Sequence, residues 1–356
     1  MTQIEGEMPQ AVQLLTFLAY LDHHDIRYDL LCVSKDLDWP QWFCQLTSDQ
    51  FRFMEAMALL TRYYLVETYH DTNSYSLHTC MHDWTLDGLN RVIDGGLYWL
   101  AFDCVAKHIE SEDWDDLSQI KYQRFTSHAM RLVHDRFQIA ADQLDSLRSR
   151  FTQIDNLAQL LKEQMQYNAA EKLYLRALVG KERVLDANHS STLETVHNLG
   201  ILMRNLGRPD QGRMYFRRAL ARHEKALGPH HVSTLNTIHH LGILFFNLGQ
   251  LEQAEEYYQR ALAGRERVLG QDLTSTLQTA SNLGVLYKRQ GKLDKAEAMY
   301  VWALAGREKA LGPNHPLTLQ IVNNLGNLHN DRGKLDEAEA MYQRALAGYE
   351  ETLGTR

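Results

Sequence analysis

The stretch NLGNLHNDRGKLDEAEAMYQRAL, residues 324–346, contains three markers that return at a constant spacing along the C-terminal part of the chain. Self-similarity at a fixed period is the signature of a repeat architecture. The pair Ala-Leu recurs every 42 residues, at 177/178, 219/220, 261/262, 303/304 and 345/346. Leu-Gly recurs in the same register at 199/200, 241/242, 283/284 and 325/326, followed each time by a second glycine at Gly207, Gly249, Gly291 and Gly333. The sequence predicts five repeats, at 149–190, 191–232, 233–274, 275–316 and 317–356.

Each repeat is predicted to be two helices joined by a tight turn. Apolar residues fall at helical spacing on both sides of the internal glycine, with Val196, Leu199 and Met203 before it and Phe216 and Leu220 after it. The turn glycine supplies the left-handed residue that a helix C-terminus favours. Leu-Gly-Pro ends the second helix of two repeats, and the next helices are expected to be capped by Ser233, Ser275 and Thr318.

Small residues on both helices predict close packing between them. They are Gly200, Gly242, Gly284 and Gly326 on the first helices and Ala219, Ala261, Ala303 and Ala345 on the second. A single helix pair cannot bury both of its apolar faces, so neighbouring pairs are expected to stack into a solenoid with a concave face. Deleting a large residue of this core, such as Leu283, is expected to cost ~2 to 5 kcal/mol.

The motifs Asn-Leu-Gly, Gly-Lys-Leu-Asp-Glu-Ala-Glu and Tyr-Gln-Arg-Ala-Leu resemble the tetratricopeptide repeat, in the 42-residue form found in kinesin light chains. The resemblance covers residues 149–356. The first copy departs from it, with Met165 at the turn glycine and Ala158 at the helix glycine. The resemblance implies a mainly α fold that ends in a right-handed α-solenoid, and a non-enzymatic adaptor that binds partner peptides in a concave groove.

The same resemblance implies which side chains line the groove. They are Asn198, Arg204, Asn205, His239, Phe246, Asn247, Asn282, Lys288, Arg289, Asn323, Asn324 and Asn327. Carboxamides both donate and accept hydrogen bonds and so suit a peptide backbone, while the three cations can pair with an acidic group. We therefore expect an acidic or polar peptide. For Asn198, Asn282 and Asn324 the alternative is a helix-to-helix hydrogen bond that fixes the stacking.

Residues 8–93 are predicted to form a separate domain of the winged-helix type. Helical spacing runs through residues 12–21 and 51–60, and residues 63–66 and 75–78 flank a polar turn, which is typical of a β-hairpin. Residues 94–148 are expected to be a helical connector, with helical spacing from Leu97 to Cys104 and again through Phe137, Ala140, Ala141 and Leu144. The acidic stretch 110–116 is expected to be a solvated loop.

Met81, His82 and Asp83 follow this predicted wing and resemble the Met-His-Asp motif of NB-ARC proteins, in the fungal NLR-type form that joins NB-ARC to such repeats. The resemblance implies that His82 inherits a nucleotide-sensing role. The chain contains no Gly-x-x-x-x-Gly-Lys-Ser/Thr phosphate loop, so the alternative is a histidine satisfied by neighbouring carbonyls or by Asp83. The alternative function is therefore a fragment of an NLR-type switch whose nucleotide-binding domain is missing or supplied in trans.

Composition and motifs argue against other classes of protein. A net charge of -8 disfavours nucleic-acid and membrane binding, and the sequence contains neither an apolar run of about 18 residues nor a Gly-x-Ser-x-Gly motif. His78 and His82 with a nearby cysteine lack a second ligand pair for zinc. We expect a cytoplasmic protein without cofactor or metal, whose four cysteines are buried reduced thiols. Met341 and Leu346 in the last repeat predict self-association at that end.

Overall fold

A computed structural model describes residues 1–32, 39–109, 116–138 and 149–354 of the chain. By its internal contacts the chain divides into two compact units, Met1–Ala187 and Asn188–Arg356. Residues 110–115 of the expected acidic loop lie outside the described residues, as do Ala140, Ala141 and Leu144 of the expected connector.

The first unit opens with short helices that precede a two-stranded sheet. The helices are α1 (Thr2–Glu7), α2 (Pro9–Leu18), α3 (Tyr28–Leu31), α4 (Gln41–Thr47) and α5 (Gln50–Arg62). Strands β1 (Val66–Tyr69) and β2 (Ser74–Leu77) pair antiparallel, with Val66 opposite Leu77. Helix α6 (Thr79–Trp84) follows and runs into a π-helical turn, Thr85–Leu89.

The hairpin predicted from the sequence is confirmed, but its first strand begins later than predicted. Helix α5 continues to Arg62, and Tyr64 then takes a positive φ of 56°, which reverses the chain before the strand starts. A residue in this left-handed region cannot belong to a strand. The core between the short helices is aromatic, and Phe17 meets Phe43 edge to face with ring centroids 5.1 Å apart.

The described residues that follow in the first unit are mainly helical. Helices α7 (Gly95–Ala106) and α8 (Asp116–Leu132) precede the first repeat, which consists of α9 (Phe151–Glu163) and α10 (Tyr167–Val184). Helix α9 packs against α7 and α8. The four cysteines are free thiols, but only Cys104 is buried. The expectation that all four are buried is wrong, because Cys44 and Cys80 lie on exposed faces of short helices.

The second unit consists of four helix pairs, which gives the mainly α fold that the sequence predicts. The pairs are α11 (Ser190–Asn205) with α12 (Pro209–Leu227), α13 (Val232–Asn247) with α14 (Leu251–Leu269), α15 (Thr274–Arg289) with α16 (Leu293–Leu311), and α17 (Pro316–Asp331) with α18 (Leu335–Gly354). Each second helix packs against the first helix of the next pair, and consecutive first helices also contact one another. The first helices therefore form a continuous layer.

Glycine fits two places in each pair for two different reasons. The turn glycines have positive φ, as in Gly291 at +74°, where a side chain would be strained. The glycines inside the first helices lie under an aromatic ring of the second helix. A Cβ atom added to Gly284 would lie 2.5 Å from Cε1 of Tyr300, so only glycine allows this approach.

Histidines, and not the predicted serine and threonine, cap three of the four first helices of the second unit. The Nδ1 atom of the capping imidazole accepts a hydrogen bond of 3.2 Å from a backbone N–H two residues later, in His189, His231 and His315. Ser233 and Ser275 lie inside their helices, and Thr318 donates to the carbonyl of Gly312 at 2.9 Å. A histidine before Ser233 and before Thr318 takes the acceptor role, whereas α15, which contains Ser275, begins after Leu273 and has no side-chain cap.

Across the part of the chain that the structure describes, no helix combines the length and the apolar character needed to cross a membrane.

Candidate peptide-binding face

Helices α11, α13, α15 and α17 form one surface, which we call the first-helix face. Carboxamide side chains recur along it. Asn205, Asn247 and Asn323 are exposed, whereas Asn198, Asn282 and Asn324 are half-buried. Successive first helices are in contact, so these groups follow one surface across the four pairs of the second unit.

His239 lies beneath this face and not on it. Its side chain is 2% exposed, whereas the sequence placed it among the groove residues. Nε2 of His239 is 3.4 Å from Nδ2 of Asn282, and Nδ1 is 3.3 Å from Oγ1 of Thr279. Burial lowers the pKa of His239 to about 3, and the nearby Arg265 and Arg204 act in the same direction. A neutral His239 therefore supports Asn282 from below.

The three cations predicted to meet an acidic ligand already have partners on the chain. Lys288 forms an ion pair of 3.1 Å with Asp331. The Arg289 guanidinium lies 5.0 Å from the centroid of the Phe246 ring and donates to the Phe246 carbonyl at 3.3 Å. Arg204 donates to Oδ1 of Asn205 at 3.2 Å.

Arg204 also lies 3.4 Å from Nδ1 of His240, and burial lowers the pKa of its guanidinium. Asn327 accepts a hydrogen bond of 2.8 Å from the hydroxyl of Tyr342 in the paired second helix. Several predicted groove residues therefore have a structural contact besides any contact with a ligand.

One end of the first-helix face contains a polar pocket of about 380 Å³ between the second and third repeats. Its lining includes Glu194, His197, Asn198, His223, Ser233 and Asn236. His223 is 2% exposed and lies 3.2 Å from Oγ1 of Thr237, and burial lowers its pKa, as does His231. The groove prediction omitted His223 because it lies on the second helix α12. Its register, one period before Arg265, is the signal that could have found it.

The Met-His-Asp motif lies in α6 of the first unit. The His82 side chain is 3% exposed and its Nε2 is 2.9 Å from the carbonyl oxygen of Leu21. Burial lowers the pKa of His82, and Arg131 adds to this effect. Met81 is half-buried and Asp83 is exposed. This arrangement matches the alternative interpretation of His82, a histidine held by a backbone carbonyl.

Metal-ligating side chains do not gather in the described ranges, where no group of three or more histidines, cysteines or carboxylates is placed to hold an ion.

The stacked helix pairs define a helical-repeat protein of the interaction-scaffold class. Family models described as tetratricopeptide repeat match residues 152–191, 191–267, 236–309 and 275–351. These matches span more than half of the chain, so the chain belongs to the tetratricopeptide-repeat proteins. A model described as a domain of unknown function (DUF7779) matches residues 2–92. No curated protein sequence matches the chain.

Solved structures with a similar fold include BtubC (BKLC) and a putative kinesin light chain. BtubC (BKLC) from P. vanneervenii is 26% identical with a TM-score of 0.55, and the match covers 65% of this chain and 92% of that chain. A single-residue variant of a putative kinesin light chain from Podosopora anserina is 22% identical with a TM-score of 0.51, covering 58% of this chain and 97% of that one. The second likeness concerns the fold alone.

Proposed function

We propose that the chain is a non-enzymatic adaptor that captures a partner peptide on the first-helix face. The observation that carries this proposal is the recurrence of carboxamides along first helices that contact one another, with Asn198, Asn282 and Asn324 in one register of α11, α15 and α17, where α13 has His240. Such groups pair with the N–H and C=O groups of an extended peptide. Lys288 is paired with Asp331, and Arg289 lies over the Phe246 ring. The backbone of a polar peptide therefore suits this face better than an acidic side chain does.

The test is a peptide array probed with the full chain and with the triple variant Asn198→Ala, Asn282→Ala and Asn324→Ala. The matched control replaces three exposed glutamines of the second helices, Gln211, Gln253 and Gln343, by alanine. Circular dichroism first establishes equal helicity. We expect the asparagine variant to lose a defined set of peptides that the glutamine variant keeps. If both variants keep the same peptides, the first-helix face is not the peptide-binding site.

For residues 8–93 we propose a winged-helix-like docking or regulatory element. Support comes from the order of helices followed by the β1–β2 hairpin, and from the backbone bridge between Ile26 and Tyr75 that ties a third segment to it. The alternative function, an NLR-type switch fragment, draws no support from His82, whose ring is buried against the Leu21 carbonyl.

We also propose self-association through the last repeat. Leu346 is 59% exposed, whereas Leu220 at the same position of the second repeat is 9% exposed. Large exposed apolar groups at a defined position favour an interface. Light scattering across micromolar concentrations should show a mass that rises with concentration and that Leu346→Glu returns to the monomer value. A constant mass for the unsubstituted chain would contradict this.

A further inference from the structure

One position of the second helix carries a buried cation in three of the five repeats, a buried histidine in the second repeat and Tyr349 in the fifth. The cations are Lys181, Arg265 and Arg307, and none is more than 3% exposed. His223 occupies the same register in the second repeat. The chain therefore provides an internal comparison, because the same site is filled by a long cationic side chain in one repeat and by a shorter ring in another.

Arg265 shows what this position offers to a guanidinium group. Its Nη1 atom donates to the carbonyl oxygen of Ser275 and to Oγ1 of Thr279, both at 2.6 Å, and Nη2 donates to Oδ1 of Asn236 at 2.7 Å. Three acceptors are thus arranged in the fork geometry that arginine matches.

The pocket of about 380 Å³ lies where His223 replaces this arginine. The residues in register with the three acceptors are Ser233, Thr237 and Glu194, and two of them, Ser233 and Glu194, line the pocket. The neutral amide of Asn236 is thereby replaced by the carboxylate of Glu194. Among the residues that the structure describes, Glu194 has no ion-pair partner.

We propose that this pocket receives an arginine side chain of the partner peptide. The inference rests on the proposed function of the first-helix face, to which Glu194 and Asn198 belong. The guanidinium enters the space left by His223, donates to the Ser233 carbonyl and pairs with the Glu194 carboxylate. An acidic side chain would meet Glu194 and is excluded. Burial lowers the pKa of His223 and so favours the uncharged ring, which does not oppose a cation.

The probe is the blocked tripeptide acetyl-Gly-Arg-Gly-amide, compared with the same peptide carrying citrulline, a neutral isostere of arginine. Titration into the full chain with ¹⁵N-labelled histidines is followed by NMR. We expect the arginine peptide to shift the His197 and His223 signals and to bind at least about tenfold more tightly than the citrulline peptide, because a charge-assisted pair is lost in the latter.

Two variants separate the pocket from a general attraction to the acidic surface. His223→Arg fills the pocket as Arg265 does, and Glu194→Gln removes its carboxylate while changing only an exposed residue. Both should abolish the preference for arginine, whereas Glu256→Gln, an exposed carboxylate on α14, should leave it intact. Equal binding of arginine and citrulline, or undiminished arginine binding by His223→Arg, would overturn the proposal.

These outcomes are independent of the array experiment. If the asparagine variant loses its partner peptides while citrulline binds as well as arginine does, the peptide-binding face stands and the arginine pocket fails. If the preference for arginine holds while the asparagine variant keeps all of its partners, the pocket stands and the proposed face fails.

Discussion

The first and third repeats fill one position of the fold with different chemistry. The position carries Asp155 in the first repeat, where the carboxylate forms an ion pair with the fully buried Lys181. It carries His239 in the third repeat, where the neighbouring Arg265 is held by neutral oxygen acceptors. A buried cation can thus be paired with a carboxylate or held by neutral dipoles. The first arrangement makes the stability of the fold depend on an opposite charge beside the cation.

The largest expected effect follows from this dependence. Asp155→Ala should lower the free energy of unfolding by about 3 to 5 kcal/mol, because it leaves Lys181 charged, buried and without its carboxylate. Asn236→Ala should cost only about 2 kcal/mol, because Arg265 keeps the Ser275 carbonyl and Thr279. Urea denaturation measures both values.

The double variant Asp155→Leu with Lys181→Met is the control for this prediction. It removes both charges together and should recover most of the stability that Asp155→Ala loses. Equal losses for Asp155→Ala and Asn236→Ala would show that the two repeats do not differ in the way proposed.

The first and fourth repeats differ in the residue that lies at the contact between their two helices. The first repeat accommodates the fully buried Ala158 in the register of Gly284. Gly284→Ala would instead place its Cβ atom 2.5 Å from the Tyr300 ring. Overpacking costs up to about 3 kcal/mol and the better helix propensity of alanine returns about 1, so we expect a net loss of about 2 kcal/mol.

Thermal denaturation with Gly284→Ala and, as control, Ala158→Ser measures this difference. Both changes add one heavy atom to a buried helix position, but serine also brings a hydroxyl that needs a partner. A loss for Gly284→Ala smaller than about 0.5 kcal/mol would mean that the Tyr300 ring moves aside at little cost, and that the spacing of the helices is not fixed by glycine.

The repeats could be predicted from the sequence because small residues recur with a constant period and each has a strict steric role. The spacing alone assigns Gly291 to the turn and Gly284 to the helix contact, and the backbone and ring geometry confirm both roles. Which side chains of the first-helix face are exposed was harder to predict. Periodicity gives the direction of a side chain but not its depth, so His239 was placed on the surface although it is buried.

Contacts between repeats were the other part that the sequence did not reveal. The role of His223 depends on the residues opposite it in the next repeat. The replacement of arginine by histidine at this position can be interpreted only when the contacts of both His223 and Arg265 are known. The choice between a serine cap and a histidine cap depended on geometry for a related reason, since His231 and Ser233 both lie at the helix start and only the hydrogen bond identifies the acceptor.

The buried His239 of the third repeat predicts that acid lowers the stability of the chain. Its pKa is about 3 in the folded chain against 6.5 for an unburied histidine, so the unfolded chain binds the proton first as the pH falls. The uncharged His239 ring makes its full contribution to the free energy of unfolding above pH 6.5. That contribution is lost as the pH falls towards 3. His239 alone should contribute a loss of about 1.4 kcal/mol per pH unit in this range.

Urea denaturation at several pH values between 7 and 5 tests this prediction with His239→Asn, because asparagine occupies the same register in the fifth repeat, at Asn323. The variant should show a shallower dependence on pH by about the amount contributed by His239. Parallel curves would assign the acid sensitivity to other groups, of which His240, beside His239 and with a pKa held well below its usual range by burial, is the next candidate.

The smallest expected effect is a gain in stability. Met165 holds the turn of the first repeat with a positive φ of 58°, where the later repeats have glycine, and its side chain is 74% exposed. A left-handed conformation costs an ordinary residue about 1 kcal/mol, and little burial is lost on its removal. Met165→Gly should therefore raise the free energy of unfolding by up to about 1 kcal/mol, after the greater backbone entropy of glycine is deducted.

Met165→Ala is the control, because it removes the same side chain but keeps the backbone strain. Urea denaturation should show no gain in its free energy of unfolding. If alanine stabilises as much as glycine does, the benefit comes from losing the exposed thioether chain, and the first repeat is not strained at its turn.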